Sequence, residues 1–287
     1  MAHRPRADTR WKPRVSSTLS GIGLSAAGLH SRCAGMEVLT TIVAGGHTIE
    51  FGVATTKAER EAARAQRFRV YQRQGYYREG VTEDQDEYDR EAIYFLGRLR
   101  GAGPGRGVLV SSTRLIEGRE DPGFEFPALK AFRFEMPAAL QEVPVRRRAE
   151  VARLVSEQLP AVTIGRLTTV LGLILAIAEY AERTTLRCGL ARRRLLRALE
   201  ASGLRFHEID CERVVYPREG PVAGYFFAHP DPVALIYWFA DEGAPAVQRV
   251  LELRRPGLMV EPQLLLHPKN LTARVNNSSM RPGRHER

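Results

Sequence analysis

The chain has 287 residues, 44% of them hydrophobic, enough to bury a full-sized core in one domain of about 200 residues with appendages. Its formal charge of +10 sits at the ends: residues 1–35 hold six Lys/Arg against Asp8, residues 265–287 hold five against Glu286, and the body between is nearly neutral, so a nucleic-acid-binding body is excluded. Three cysteines, Cys33, Cys188 and Cys211, are odd in number and far apart, which suggests neither a disulfide framework nor a metal cluster and makes a reducing cytoplasm the expected setting.

Residues 1–35 and 265–287 read as basic, disordered ends, with peripheral membrane contact as the further use such arms have. The Arg- and Ser-rich start also fits a transit-like signal, and Met36 opens a more fold-like sequence. Within residues 47–54, Ile49, Phe51 and Val53 alternate as on a half-buried strand. Residues 57–74 read as an amphipathic helix with Ala62, Ala65, Phe68, Val70 and Tyr71 inward and Arg60, Arg64 and Arg67 toward water or a ligand, closed by Gly75. A loop rich in acids follows up to Asp89. Residues 92–99 and 108–116 are strand-like runs around a Gly-rich tip, which predicts a hairpin. Residues 118–144 are loop-like, with Phe124, Phe126, Phe132, Phe134 and Met136 available either to the core or to an apolar tunnel.

The centre of the chain reads as strand (150–157), buried helix (167–183) and strand (184–190). Only 12 residues lie between Arg166 and Glu179, short of the roughly 20 a bilayer needs. A strand, helix and parallel strand make a right-handed unit whose ligands sit beyond the carboxyl ends of the strands, which points to Glu150 and Arg153. Residues 192–202 predict a helix closed by Gly203, residues 204–216 and 224–229 two strands, and Asp231-Pro232 the capped start of another helix through Phe239. A last helix is expected over 245–254. The domains are accordingly 1–35, 36–229, a helical extension over 230–264, and 265–287.

In chain order the candidate functional residues are Arg64 and Phe68 one helical turn apart, Asp86 and Asp89, Arg114, and Glu150-x-x-Arg153. Over residues 47–229 this order resembles the acyl-homoserine-lactone synthases, the N-acyl amino acid synthases and the exosortase-associated acyltransferases, members of the GNAT acyltransferase superfamily. The resemblance implies an α/β fold with a mixed, splayed central sheet and helices on both faces. It implies acyl transfer from an acyl carrier protein thioester to an amine, without metal, cofactor or covalent enzyme intermediate, and it makes those seven residues the characteristic ones of the cleft. Two departures stand out. No tryptophan lies between Phe68 and Asp86, where Tyr76 and Tyr77 are the nearest aromatics, and Ala152-Arg153-Leu154 replaces the usual Ser-Arg-Phe. Both argue against S-adenosylmethionine as the acceptor.

An amine attacks a thioester only when neutral, so the cleft needs a base and donors for the oxyanion. Glu150 is the candidate base, with the backbone N–H groups near Leu154 and Val155 as candidate oxyanion donors. Asp86 and Asp89 can attract the ammonium form of the amine, and Arg114 or Arg153 can pair with a substrate carboxylate. The same residue types also suit an ion-pair network that ties the loop to the sheet. The turn at 163–169 holds one glycine where a CoA pyrophosphate loop has several, which favours a carrier protein over CoA and gives Arg146–Arg148 or Arg192–Arg194 as its contact. The expected function is N-acyl transfer from acyl carrier protein to an amino acid or similar amine. A lactone synthase using S-adenosylmethionine and a non-catalytic GNAT-fold binding or regulatory domain are the alternatives.

Overall fold

The computed structural model describes residues 35–44, 46–101, 107–157, 165–181, 184–241 and 259–262. Both basic ends, the tip of the 92–116 hairpin and the helix expected over 245–254 lie outside the described residues.

β1 (Met36–Ala44) and β2 (His47–Ala54) pair antiparallel. Ile49, Phe51 and Val53 share one core, as their alternation predicts. α1 (Lys57–Arg73) opens on a capping box in which Thr56 Oγ1 accepts from the Glu59 N–H and Glu59 Oε2 from the Thr56 N–H. The buried stripe of α1 is Glu59, Ala63, Gln66, Arg67 and Tyr71, while Ala62 and Ala65 are exposed. The helix is therefore rotated from the phase that hydrophobicity suggests. Its inner face meets charged partners: Glu59 pairs with buried Arg98 at 3.0 Å, and Arg67 with two aspartates.

β3 (Ile93–Leu99) and β4 (Val108–Glu117) form the expected hairpin. The segment read as loop contains α2 (Pro127–Lys130), β5 (Phe132–Phe134) and α3 (Ala138–Glu142). Then come β6 (Arg148–Ser156), α4 (Arg166–Tyr180) and β7 (Leu186–Arg192), the strand, helix and parallel strand of the central stretch. α5 (Arg193–Glu200) follows. The single strand expected over 204–216 is realised as two short ones in different sheets: β8 (His207–Glu208) and β9 (Cys211–Val214), the latter paired with β5.

Two assignments near the end are reversed. The strand expected over 224–229 is α6 (Ala223–Phe227), and the helix expected from Asp231 is β10 (Val233–Phe239), so the extension over 230–264 opens on a strand, with helical residues only at Ala240 and Asp241 where it is described. Asp231 and Pro232 imitate a helix start, but the run after them is β-branched and aromatic, and all seven of its residues pair with β7. β11 (Met259–Pro262) pairs with β1. Among the described residues the main sheet has the order β11-β1-β2-β3-β4-β6-β7-β10-β8, antiparallel everywhere except between β6 and β7.

This is the mixed α/β sheet with helices on both faces that the GNAT-like reading implies. α4 and Leu199 of α5 cover one face together with Phe51, Phe95 and Leu115. Ala63 of α1 and the α2 region cover the other, where Phe126 and Phe132 are buried. Among the described residues no helix is long and apolar enough to cross a membrane.

Contact across the first face is close. A Cβ built on Gly172 of α4 would lie 2.3 Å from the Phe51 ring, which is fully buried. Gly172→Ala is expected to destabilise by about 1–3 kcal/mol from overpacking, partly offset by about 1 kcal/mol of better helix propensity. Thermal melting checks this, and an unchanged or raised melting temperature would mean that Phe51 moves aside freely.

Candidate active site

The site begins where the one parallel pair ends. β6 and β7 are in register only over Arg148↔Leu186, Ala149↔Arg187 and Glu150↔Cys188, and then separate. At the same level the pairing of β6 with β4 slips. Arg114 faces Ala152 and Ser112 faces Val155, so Thr113 alone stands opposite both Arg153 and Leu154. This is a β-bulge, and Arg153 adopts the left-handed conformation (φ 58°), unusual for a residue with a side chain. In an unbroken strand positions 150 and 153 point to opposite faces. The extra residue returns Arg153 to the side of the sheet that carries Glu150.

A cavity of about 210 Å³ opens between the separated strands. Glu150, Arg153 and Leu154 line it from β6, Leu190 and Arg192 from β7, and Tyr225 from α6. None of the five residues Phe124, Phe126, Phe132, Phe134 and Met136 lines it; they pack in and against the second core.

Glu150 is 3% exposed, and its Oε2 accepts from the Ala128 N–H at 2.8 Å. Burial pushes its carboxyl up from the ordinary 4.5 to about 7, against the opposing pull of the Ala128 N–H, Arg114 and Arg153. Cys188, its partner in register, is a fully buried thiol whose pKa is raised by that burial and by Glu150 beside it.

Three arginines and three aspartates form a compact network beside the cavity. Arg67 donates to Asp89 (3.2 and 3.0 Å) and to the Asp84 carbonyl (2.7 Å), and its Nε meets the Asp84 carboxylate. Arg114 grips Asp86 with both terminal nitrogens (2.6 and 2.7 Å) and also reaches Asp89, which accepts from the Tyr94 hydroxyl at 2.5 Å. Arg153 reaches Asp86 at 3.3 Å and Asp84 at 3.8 Å, and lies 5.7 Å from the centre of the Tyr71 ring. Asp86 and Asp89 also cap the short 3₁₀ turn Glu87–Arg90 reciprocally, which fixes the loop that carries them. Burial alone would raise the Asp89 carboxyl, yet Arg67 and Arg114 hold it well below the usual carboxylate range.

Of the residues singled out from sequence, Asp86, Asp89, Arg114, Glu150 and Arg153 come together, and Leu154 lines the cavity. Arg64 and Phe68 stand apart, and Val155, expected to offer its backbone N–H, sits next to Leu154 on β6. Arg64 is half exposed on the flank of α1 and makes no ion pair among the described residues; Arg67, three positions on, holds the place in the network. Phe68 stacks on Tyr77 at 5.2 Å, away from the cavity wall. The Val155 side chain is buried with Tyr71 and Val222. Arg114 and Arg153, expected to hold a substrate carboxylate, are each held by two aspartates. Residues 192–194 are not one exposed basic run, since Arg192 is 8% exposed. Asp84 and Tyr94 were missed, and Arg67 and Arg192 were named without being placed in the cleft; an i, i+4, i+8 reading of Ala63, Arg67 and Tyr71 carries the phase that finds Arg67.

The structure is similar to TofI, solved in a ternary complex with an inhibitor and MTA, at 16% identity over 73% of this chain and 96% of that one, with a TM-score of 0.45. It is similar to the AHL synthase LasI at 14% identity over 70% of this chain and 94% of that one, with a TM-score of 0.46. It is also similar to FeeM, an N-acyl amino acid synthase from uncultured soil microbes, at 16% identity over 69% and 96%, with a TM-score of 0.43. No family model matches the chain, and no curated protein matches it.

Proposed function

We propose that the chain is an acyltransferase that joins an acyl group, delivered as a carrier-protein thioester, to the amine of an amino acid or similar small molecule. The observation that carries this reading is Glu150: a buried carboxyl titrating near 7, on the wall of a cavity opened by the parting of two parallel strands. A base with that affinity for protons accepts one from an amine near neutrality and returns it readily.

In the reaction the amine nitrogen attacks the thioester carbonyl as Glu150, directly or through one water, takes the amine proton. The C–N bond forms and negative charge gathers on the carbonyl oxygen, beside the Arg153–Leu154 bulge. Collapse breaks the C–S bond, and the thiolate leaves with the proton that Glu150 holds. Amide and thiol are the products, and Glu150 ends as it began. The Arg–Asp network keeps the bulge and the 84–90 loop rigid, so that the base and the bulge stay aligned.

Lipid extracts of a host expressing the protein, compared with an empty-vector control by mass spectrometry, test the reading. A new N-acyl product is expected, and the purified protein should form it faster from acyl carrier protein than from acyl-CoA. Faster turnover of acyl-CoA would overturn the donor alone. Release of methylthioadenosine would make it a lactone synthase, and no acylated amine with any donor would remove the enzymatic reading.

A further inference from the structure

Among the described residues, Arg192 is the third cation that lines the cavity, beside Arg114 and Arg153. Its position follows from the period of the strand: Cys188, level with Glu150, is followed on the same face by Leu190 and Arg192, and both of these line the cavity. The guanidinium is buried, lying 4.4 Å from the centre of the Tyr225 ring and 5.0 Å from that of Tyr76. Its terminal nitrogens donate to the backbone carbonyls of Asp231 and Tyr225. Among the described residues the buried Nε–H has no partner and no carboxylate pairs with the group; the Asp231 carboxylate instead accepts from the Arg194 N–H.

The contrast with the other two arginines of the wall is chemical. Arg114 and Arg153 are neutralised by aspartates, whereas Arg192 has a full charge, two carbonyl dipoles and two ring faces. A buried cation without a counter-ion is costly, and carbonyls and rings compensate it only in part. A carboxylate arriving in the cavity completes the set, because a planar guanidinium offers it directed N–H donors.

We infer that Arg192 is a specificity-determining residue that binds the carboxylate of the acceptor, so that the acceptors preferred are amines bearing a carboxylate rather than neutral amines. This rests on the acyl-transfer reading for its chemistry but not for its test, because an N-acyl amino acid binds the same cavity without turnover.

The test is calorimetric titration with N-dodecanoylglycine and its neutral carboxamide, on the wild type and on Arg192→Gln and Arg192→Lys. The wild type is expected to bind the acid at least ten-fold more tightly than the amide. Arg192→Gln should lose that preference while its affinity for the amide stays within about two-fold. Arg192→Lys, which keeps the charge without the planar fork, should hold part of it. Equal binding of acid and amide by the wild type overturns the inference, as does a preference that survives in Arg192→Gln. If Arg192 only clamps residues 225–231 to β7, acid and amide weaken together in both variants, which overturns it equally. If the acid is preferred but no amine is ever acylated, the carboxylate site stands and the acyltransferase reading falls.

Discussion

Glu150→Gln is expected to lower the rate of amide formation by about 10²- to 10⁴-fold and, at the same time, to make the protein more stable above pH 7. Glutamine keeps the size of the side chain and an acceptor for the Ala128 N–H, but it cannot take a proton. The stability effect comes from the same burial that suits the carboxyl to its task. Its ordinary pKa of 4.5 becomes about 7 in the fold, so the folded state favours the protonated form. That contribution is whole below pH 4.5 and is lost as the pH rises through 7. By pH 8 the wild type bears a cost of at most about 3–4 kcal/mol, at about 1.4 kcal/mol per pH unit, and the glutamine variant does not. Melting temperatures of the two should coincide near pH 4.5 and diverge in favour of the variant above 7. The wild type's kcat/KM should rise with pH to a plateau above about 7. An active variant, or one that melts earlier than the wild type at pH 8, would remove Glu150 from the role of base.

Arg67→Ala should cost about 3–5 kcal/mol, because it leaves Asp84 and Asp89 buried without their principal counter-ion. For a domain of this size that is a fall in melting temperature of roughly 6–20 °C. Arg64→Ala, on the half-exposed flank of the same helix, is the control and should change stability by no more than about 0.5 kcal/mol. The network also sets the response to acid. Asp89 has its pKa held below the usual range, so its contribution is present at neutral pH and is lost as the pH falls below that range. This is opposite in sign to Glu150, and stability should peak between the two titrations. Denaturation monitored by circular dichroism decides: equal losses in Arg64→Ala and Arg67→Ala would mean that the network is not what ties α1 to the sheet.

A stability cost is built into the chemistry of the site. A carboxyl raised to about 7 and an arginine in the left-handed region both oppose folding, the latter by roughly 1–3 kcal/mol. Both lie where β6 leaves β7, and the neighbouring ion pairs of Arg67 and Arg114 offset them.

Much of this was legible in the residues. Alternation in 47–54, the hairpin around the Gly-rich tip and the apolar run read as a helix over 167–183 are local signals, and each formed the expected type of element, the helix ending at Tyr180. So were the residue types of the site: acids in the 83–89 loop, an arginine on β4 and Glu150-x-x-Arg153. Periodicity failed where partners outweighed it. In α1 an ion pair to Arg98 and another to two aspartates turned charged residues inward, so Arg67 replaced Arg64. In 223–239 the caps of a helix preceded a run that found β7 to pair with.

The amino-acid order by itself determined which segments are extended or helical over most of the chain, and which charged groups were available, because propensity and spacing are local properties. Only the tertiary structure decided that Glu150 and Arg153 share a face. Three positions apart on a regular strand they are opposed, and the bulge that unites them depends on how β4 and β7 take hold of β6 from either side.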